Sequence, residues 1–226
     1  MNRHISEQFD AELEQVRLRM MEMGGLVTRQ LEASIQAFVS HDPAAASEVL
    51  GNEQEVNRLE LVIDDQCVRT IALRQPAARD LRFLISIMKA GTDLERAGDE
   101  TARIARLTDR LALLTPMADG YADLAQMGEL VACLLRDSLD AFARMSADLA
   151  YEVIAADAQV DALYSRVASD LTDFAKAQPM EIERSIASVW VARSLERIGD
   201  HAKNIGEHLV YLIDGVDVRH SGVGGS

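Results

Sequence analysis

Apolar residues recur along this chain at steps of three and four. In the first forty positions Phe9, Leu13, Val16, Met20, Met23, Val27, Leu31, Ile35 and Phe38 trace one stripe, which is the period of a buried helix face and not the alternation of a strand. The methionines on it read as core filler, since Met packs readily into helical interfaces. The same period continues to the end of the chain, cut by a few punctuation points. Asp42-Pro43 and Thr115-Pro116 each set a capping side chain before a proline at a first helical position, where its missing N–H costs nothing. Gln75-Pro76 and Gln178-Pro179 are two further breaks, and Ser146-Ala147-Asp148 adds a fifth by capping chemistry alone. The pattern predicts an all-α chain of six long helices over 7–40, 43–73, 77–113, 116–144, 147–176 and 180–214. From Gly215 the sequence runs into a tail ending SGVGGS, too rich in glycine to be expected to pack.

Composition agrees and narrows the function. Of 226 residues 48% are hydrophobic, enough for a real core, but only 4% are aromatic, which suits long helices in bundles joined by short connections. The formal charge of -14 excludes a general nucleic-acid binder, which needs a basic face. Cys67 and Cys133 stand far apart without CxxC spacing, so both are expected to be core thiols in a reducing compartment. Glu7, Asp10, Glu12 and Glu14 occupy the region where a signal peptide would be apolar, and no uncharged run reaches the roughly 18 residues that a membrane span requires. A cytoplasmic protein without direct membrane insertion is expected. Catalysis finds no foothold: there is no phosphate-binding glycine loop, no GxSxG elbow, no Cys-His signature and no Glu-x-x-His of the diiron bundles. His201 and His208, one heptad apart, read as polar-face or interface residues more readily than as ligands.

The two halves repeat. Ser34-Ile35-Gln36-Ala37-Phe38 matches Ser138-Leu139-Asp140-Ala141-Phe142, and Ala46-Ser47-Glu48-Val49-Leu50 matches Ala150-Tyr151-Glu152-Val153-Ile154, both at an offset of 104. Leu94-Glu95-Arg96-Ala97-Gly98-Asp99 then matches Leu195-Glu196-Arg197-Ile198-Gly199-Asp200 at an offset of 101. An offset that shrinks near turns is how loop deletions behave in a duplicated fold. The expected organisation is a first three-helix unit over 1–114, a second over 115–216 and a tail over 217–226.

A Glu and an Asp four apart share one helix face. Alone this is a common solvated pattern, but here it recurs at equivalent places in both halves, each time with a mid-helix glycine that costs about 1 kcal/mol against Ala. Close helix packing accounts for Gly98 and Gly199; it does not account for the acids. Folding the second and third helices back on each other about Pro76 places Glu53 and Asn57 opposite Glu95 and Asp99, with Glu60 and Asp64 nearer the bend as weaker candidates. The same operation about Pro179 places Asp157 and Asp161 opposite Glu196 and Asp200. Gathered carboxylates repel and are expensive to bury unless cations intervene. Arg96 and Arg197 adjoin the acids in sequence but point about 100° away around the helix, so they are expected to cap a cluster's edge or face a partner. The other cation is a metal. An all-oxygen ligand set suits a hard, oxygen-preferring ion such as magnesium, calcium, manganese or iron, and excludes a structural zinc centre of Cys and His. The residues alone do not distinguish iron, manganese, magnesium or an oxygen-held zinc. The second cluster is the stronger metal candidate, because Asp161 stands where the first unit has Asn57, and Asn204 where the first has Arg103, one turn beyond Asp99.

The doubled Leu-Glu-Arg-x-Gly-Asp resembles the PhoU family of phosphate-signalling proteins. So do Phe9-Asp10-Ala11-Glu12-Leu13-Glu14, Met23-Gly24-Gly25, Arg74-Gln75-Pro76 with Asp80-Leu81-Arg82, Ala192-Arg193-Ser194 and Asp217-Val218-Arg219-His220, and the likeness runs from about residue 5 to 221. The resemblance implies two tandem three-helix bundles whose ExxxD motifs, Glu95 with Asp99 and Glu196 with Asp200, hold metal clusters. It further implies a cytoplasmic adaptor between the ATPase of the phosphate ABC transporter and a membrane sensor histidine kinase, keeping the phosphate-starvation response off when phosphate is plentiful. A homodimer is expected from exposed apolar residues on long helices, with Trp190 either such a residue or part of the core. The residues by themselves lead to an acidic helical repeat protein with metal sites; a redox enzyme or metal store on a bundle and a plain scaffold are the rival readings.

Overall fold

A computed structural model describes residues 2–112 and 121–218, with side chains from residue 7. Among the described residues the chain is all-helical: α1 (Asn2–Ser40), α2 (Pro43–Gly51), α3 (Glu53–Arg74), α4 (Ala78–Leu111), α5 (Ala122–Arg144), α6 (Ala147–Ala177) and α7 (Ile182–Asp214). The six-helix plan holds, with the second helix broken into α2 and α3 at Gly51-Asn52. Asn52, still right-handed at φ of -92° and ψ of -8°, separates the two, and its amide bonds back to Val49 at 3.1 Å. The expected boundary near residue 114 and the helix start at Pro116 lie outside the described residues, as does the chain beyond 218. The tail is anchored further than its glycines suggest, since Val218 packs against the core.

The punctuation acts as its chemistry requires. Asp42 caps α2 by accepting from the amides of Ala44 and Ala45 at 2.9 and 3.1 Å, with Pro43 at the first helical position. Gln75 ends α3 in the left-handed region (φ 48°) just before Pro76. Ser146 caps α6 by accepting from Leu149, and Pro179 opens one 3-10 turn, Pro179–Glu181, before α7.

α1, α3 and α4 pack as one unit and α5, α6 and α7 as the other. The stripe predicted for α1 is core: Val16, Met20, Met23, Val27 and Leu31 are fully buried. One hydrophobic cluster runs through both units, from Met20 and Leu94 to Val160 and Leu195. Between the units the matched helices meet, α1 on α5 and α4 on α7. That pairing of equivalents is the isologous arrangement of a two-fold contact, here within one chain. Among the described residues no helix is long and apolar enough to cross a membrane. Cys67 is buried in the core as expected, but Cys133 is not a core thiol: it lies exposed on α5.

Candidate functional site

The α4–α7 seam repeats its own polar pairs. At the offset of 101, Asp93 corresponds to Ser194 and Glu100 to His201. Asp93 Oδ1 meets His201 Nδ1 at 2.9 Å, and the Ser194 hydroxyl donates to Glu100 Oε2 at 2.7 Å, so one pair of positions is used twice with different chemistry. Asp93 is buried and also meets His208 Nε2 at 2.9 Å and accepts from Asn204 Nδ2 at 3.0 Å. Burial alone would raise its carboxyl; the hydrogen bonds from His201, His208 and Asn204 outweigh that and hold it well below the usual carboxylate range. Glu100, also buried, accepts from Arg197 at 2.9 Å and lies 3.4 Å from Arg103. The partner of Arg103 is therefore Glu100, and not Asp99 as its position one turn on suggests. Asp93 and Glu100 escaped the sequence reading, although Asp93 sits among the buried Ala90, Leu94 and Ala97, where a polar residue signals a required partner.

The second acidic cluster forms where the hairpin places it. Asp157 is 2% exposed and Glu196 9%, while Asp200 is half-buried and Asp161 exposed. Burial, then the charges of Asp157 and Asp161, push the Asp200 carboxyl up. Burial, then Asp200 and Asp161, do the same to Glu196, against Arg193 and Arg197. Lys203 donates to Asp157 Oδ2 at 2.8 Å and Arg193 to Glu196 Oε1 at 2.6 Å. The other oxygens, Asp157 Oδ1 and Glu196 Oε2, are buried with no hydrogen-bond partner.

The first cluster gains an acid nearer the bend. Glu53 pairs with Arg106, 2.7 Å from both its oxygens, and Asn57 is exposed. Glu53 acts on Asp99, and Glu60 acts on Glu95. The carboxyls of Glu95, Glu60 and Asp99 are all raised, chiefly by burial; Asp99 and Glu60 add to this for Glu95, Asp64 and Asp99 for Glu60, and Glu53 and Glu100 for Asp99. The repeats differ here at two positions. The Thr92 hydroxyl donates to Glu60 at 3.3 Å, and at the equivalent positions Arg193 lies over the Tyr164 ring, 5.6 Å from its centroid. The first repeat thus carries an acid, Glu60, where the second carries a ring, and the charge lies about two turns nearer the bend.

Among the described residues no three His, Cys, Asp or Glu side chains are gathered tightly enough to hold a metal as they stand. The donor set at the second cluster still fits a hard cation, because its two orphaned carboxylate oxygens lack the partner that buried acceptors require. The glycines answer to packing. A Cβ on Gly98 would come within 3.2 Å of Val56, and one on Gly199 within 3.1 Å of Val160 and 3.5 Å of Asp157 Oδ1. Both clusters reach one groove of about 740 Å³ between α4 and α7, lined by Asp99 and Asp200 and by the cations of the seam.

A family model described as PhoU domain matches the chain twice, over residues 20–108 and 124–209. The phosphate-specific transport system accessory protein PhoU homolog of Pseudomonas putida is 44% identical over 220 residues, 97% of this chain and 86% of that protein. The crystal structure of PhoU from Pseudomonas aeruginosa superposes with a TM-score of 0.89 at 42% identity, covering 92% of this chain and all of the other. The phosphate transport system regulatory protein PhoU from Streptococcus pneumoniae superposes with a TM-score of 0.86 at 32% identity, over 93% of this chain and 99% of the other.

Proposed function

The chain belongs to the PhoU family, and from that membership we propose that it is a cytoplasmic negative regulator of the phosphate-starvation response, accessory to phosphate-specific transport. The observation that carries this reading is the extent of the likeness: relatives named for that role match over 97% of the chain. Its partners are the ATPase of the phosphate ABC transporter and a membrane sensor histidine kinase. The protein acts by binding and not by catalysis. Among the described residues no nucleophile is organised in the seam, where the buried carboxylates of Asp93 and Glu100 are held by named donors. A homodimer is part of the proposal, supported by the half-exposed Trp190 beside exposed Ile186, Ile182 and Met180 on one edge of the second unit.

Glu196, Asp200, Asp157 and Asp161 would hold a metal ion in the second unit, and Glu95 and Asp99 with Glu60 in the first. A bound ion would supply positive charge that offsets the mutual repulsion of these carboxylates. The chain's own part is to keep the acids on facing helices. Asp157 and Glu196 are fixed at one oxygen each by Lys203 and Arg193, which leaves the other oxygen aimed and available. Because both clusters border the α4–α7 seam, their charge state favours one packing of the two units over another, which is the differential affinity a switch needs.

The test is elemental analysis of protein purified without chelator, wild type beside Glu196→Asn/Asp200→Asn, paired with binding to the transporter ATPase and the kinase and with repression of the phosphate response in cells. Metal lost together with partner affinity and repression supports the whole reading. Metal absent from both proteins with repression intact removes the metal clause and leaves the regulator. Repression unaffected by deletion of the whole chain removes the regulator.

A further inference from the structure

The second hairpin holds a hollow at a place that the first hairpin fills. Between the C-terminal end of α6 and the N-terminal half of α7 lies a groove of about 620 Å³, with Ala175 and Ser185 in its lining. At the repeat offsets of 104 and 101 these correspond to Ile71 and Leu84, larger residues packed in or against the core of the first unit. Beside the hollow stands a projecting apolar edge. Trp190, Ile186 and Ile182 form one row of α7 at a spacing of four and are 50%, 52% and 53% exposed, with Met180 at 94%. The residue equivalent to Trp190 is Lys89, which the chain covers itself: its ammonium lies 5.7 Å from the centroid of the Tyr211 ring. The second unit therefore departs from the first by losing volume at one place and gaining a ring next to it. Among the described residues Lys176 is the one charged residue of the lining, and it is paired with Asp173 at 2.8 Å.

We propose that this face is the contact between two copies of the chain, each seating its Trp190 ring in the other's hollow between α6 and α7. A two-fold contact requires a surface complementary to itself, with a projection and a recess side by side, and this face carries both. A groove shaped for a foreign helix needs the recess alone; the ring beside it is what a second copy requires. With the axis between Ile186 and Val189, two α7 helices lie antiparallel, and position 190 of one comes level with position 185 of the other. Trp is a favoured interface anchor, since its ring buries about 150–250 Å² at one centre. In a chain of net charge -14, a lining whose one charge is already paired lets two copies meet without setting acid against acid. The contact presupposes the homodimer proposed above and assigns it a surface.

Trp190 is the chain's single tryptophan, so its fluorescence reports this contact alone. The experiment is a dilution of the full chain from about 100 to about 0.1 μM, with mass followed by sedimentation and Trp190 by its emission and iodide quenching. Mass should fall from dimer to monomer while emission moves to the red and quenching rises at the same midpoint. Trp190→Ala should weaken the dimer about thirtyfold or more. Ala175→Ile, which puts the first unit's residue into the hollow, should weaken it about tenfold or more. Leu61→Ala, at an exposed apolar residue of the first unit, should leave the dimer unchanged. Circular dichroism spectra of the groove variants should match wild type, which separates a lost contact from a lost fold. A dimer indifferent to Trp190→Ala, or one whose Trp190 emission ignores a dilution that dissociates it, would overturn this contact and leave the homodimer on another surface. A chain monomeric throughout the range removes the homodimer and this contact together, and a blue shift of that monomer's Trp190 on adding the transporter ATPase or the kinase assigns the groove to that partner.

Discussion

Asp93 and His201 meet at 2.9 Å across the α4–α7 seam, at the same two repeat positions where Ser194 donates to Glu100 at 2.7 Å. The duplicated contact has kept its geometry while its chemistry has diverged. On one side a carboxylate is surrounded by His201, His208 and Asn204; on the other, a carboxylate is held between a hydroxyl and two guanidiniums. The seam between α4 and α7 is therefore polar at its centre, and removing one member strands the others.

Asp93→Ala should destabilise the protein by roughly 2–4 kcal/mol in urea unfolding, since it leaves three donors unpaired in a buried place. The sign of its pH dependence follows from the direction of the shift. The folded carboxyl titrates below its ordinary value of 3.8, so its contribution is fully present above that pH and is lost as pH falls through the lower, folded value. The stability difference between wild type and Asp93→Asn should accordingly shrink only below about pH 4, and a difference that already vanishes between pH 6 and 5 would contradict this assignment.

Much of this was legible in the residues, for physical reasons that can be named. The stripe from Val16 to Leu31 is core because a period of three and four has only one way to be buried, and Asp42-Pro43 starts a helix because cap and proline both favour that position. Hairpin arithmetic found Asp157 for Asp200, whose carboxyl it raises, and Glu53 for Asp99, whose carboxyl it raises likewise. It ranked Glu60 below Glu53 because equal spacing ignores ion pairs: Glu53 is taken by Arg106, and Glu60 has only the Thr92 hydroxyl as a hydrogen-bond donor. Spacing within one helix cannot reveal a partner across the seam, which is why Asp93 and Glu100 escaped. The break at Asn52 lacked a proline to announce it, and Cys133 was assigned to the core by residue type where its face of α5 is turned outward.

The acids of the second cluster should make the metal-free protein less stable at neutral pH than a neutralised variant. Folded Glu196 and Asp200 titrate above their ordinary values, so the folded state binds protons more readily than the unfolded one, and its disadvantage is fully present above the folded values and disappears as they protonate. In chelator at pH 7, Glu196→Gln/Asp200→Asn is expected to be more stable than wild type by about 0.5–2 kcal/mol. Saturating manganese or magnesium should reverse the order, because only wild type gains the linkage term that grows with ion concentration. Thermal unfolding in both conditions decides it: the same order with and without the ion would mean that these acids are not ligands.

The two thiols should differ sharply. Burial, with a smaller push from Asp64, raises the Cys67 thiol to about 12, whereas Cys133 lies exposed on α5. The thiolate is the reactive form. A thiol-specific disulfide reagent at pH 8 should label one cysteine in the native protein and two in denaturant, and Cys133→Ser should abolish the native reaction. Rapid native labelling of Cys67 would show that the core between α3 and α4 opens on that timescale.

In the first unit the choice between Glu53 and Glu60 as the partner of Glu95 and Asp99 separates spacing from geometry. Glu53 is ion-paired with Arg106, one guanidinium nitrogen of which lies 2.7 Å from both carboxylate oxygens. Glu60 has only the Thr92 hydroxyl as a hydrogen-bond donor, and its carboxyl is pushed up by burial and then by Asp64, with Thr92 and the charge of Arg96 only partly offsetting them. With the second cluster disabled by Glu196→Gln/Asp200→Asn, Glu60→Gln should lower residual divalent-ion binding about tenfold or more, while Glu53→Gln should change it by about twofold or less. Arg106→Ala gives the converse control. It releases the Glu53 carboxylate next to Asp99 and should strengthen ion binding, because an added uncompensated acid makes the site more attractive to a cation. If Glu53→Gln proves the more damaging change in calorimetric titrations with manganese, the ion sits away from the bend and the Arg106 pair must open to admit it.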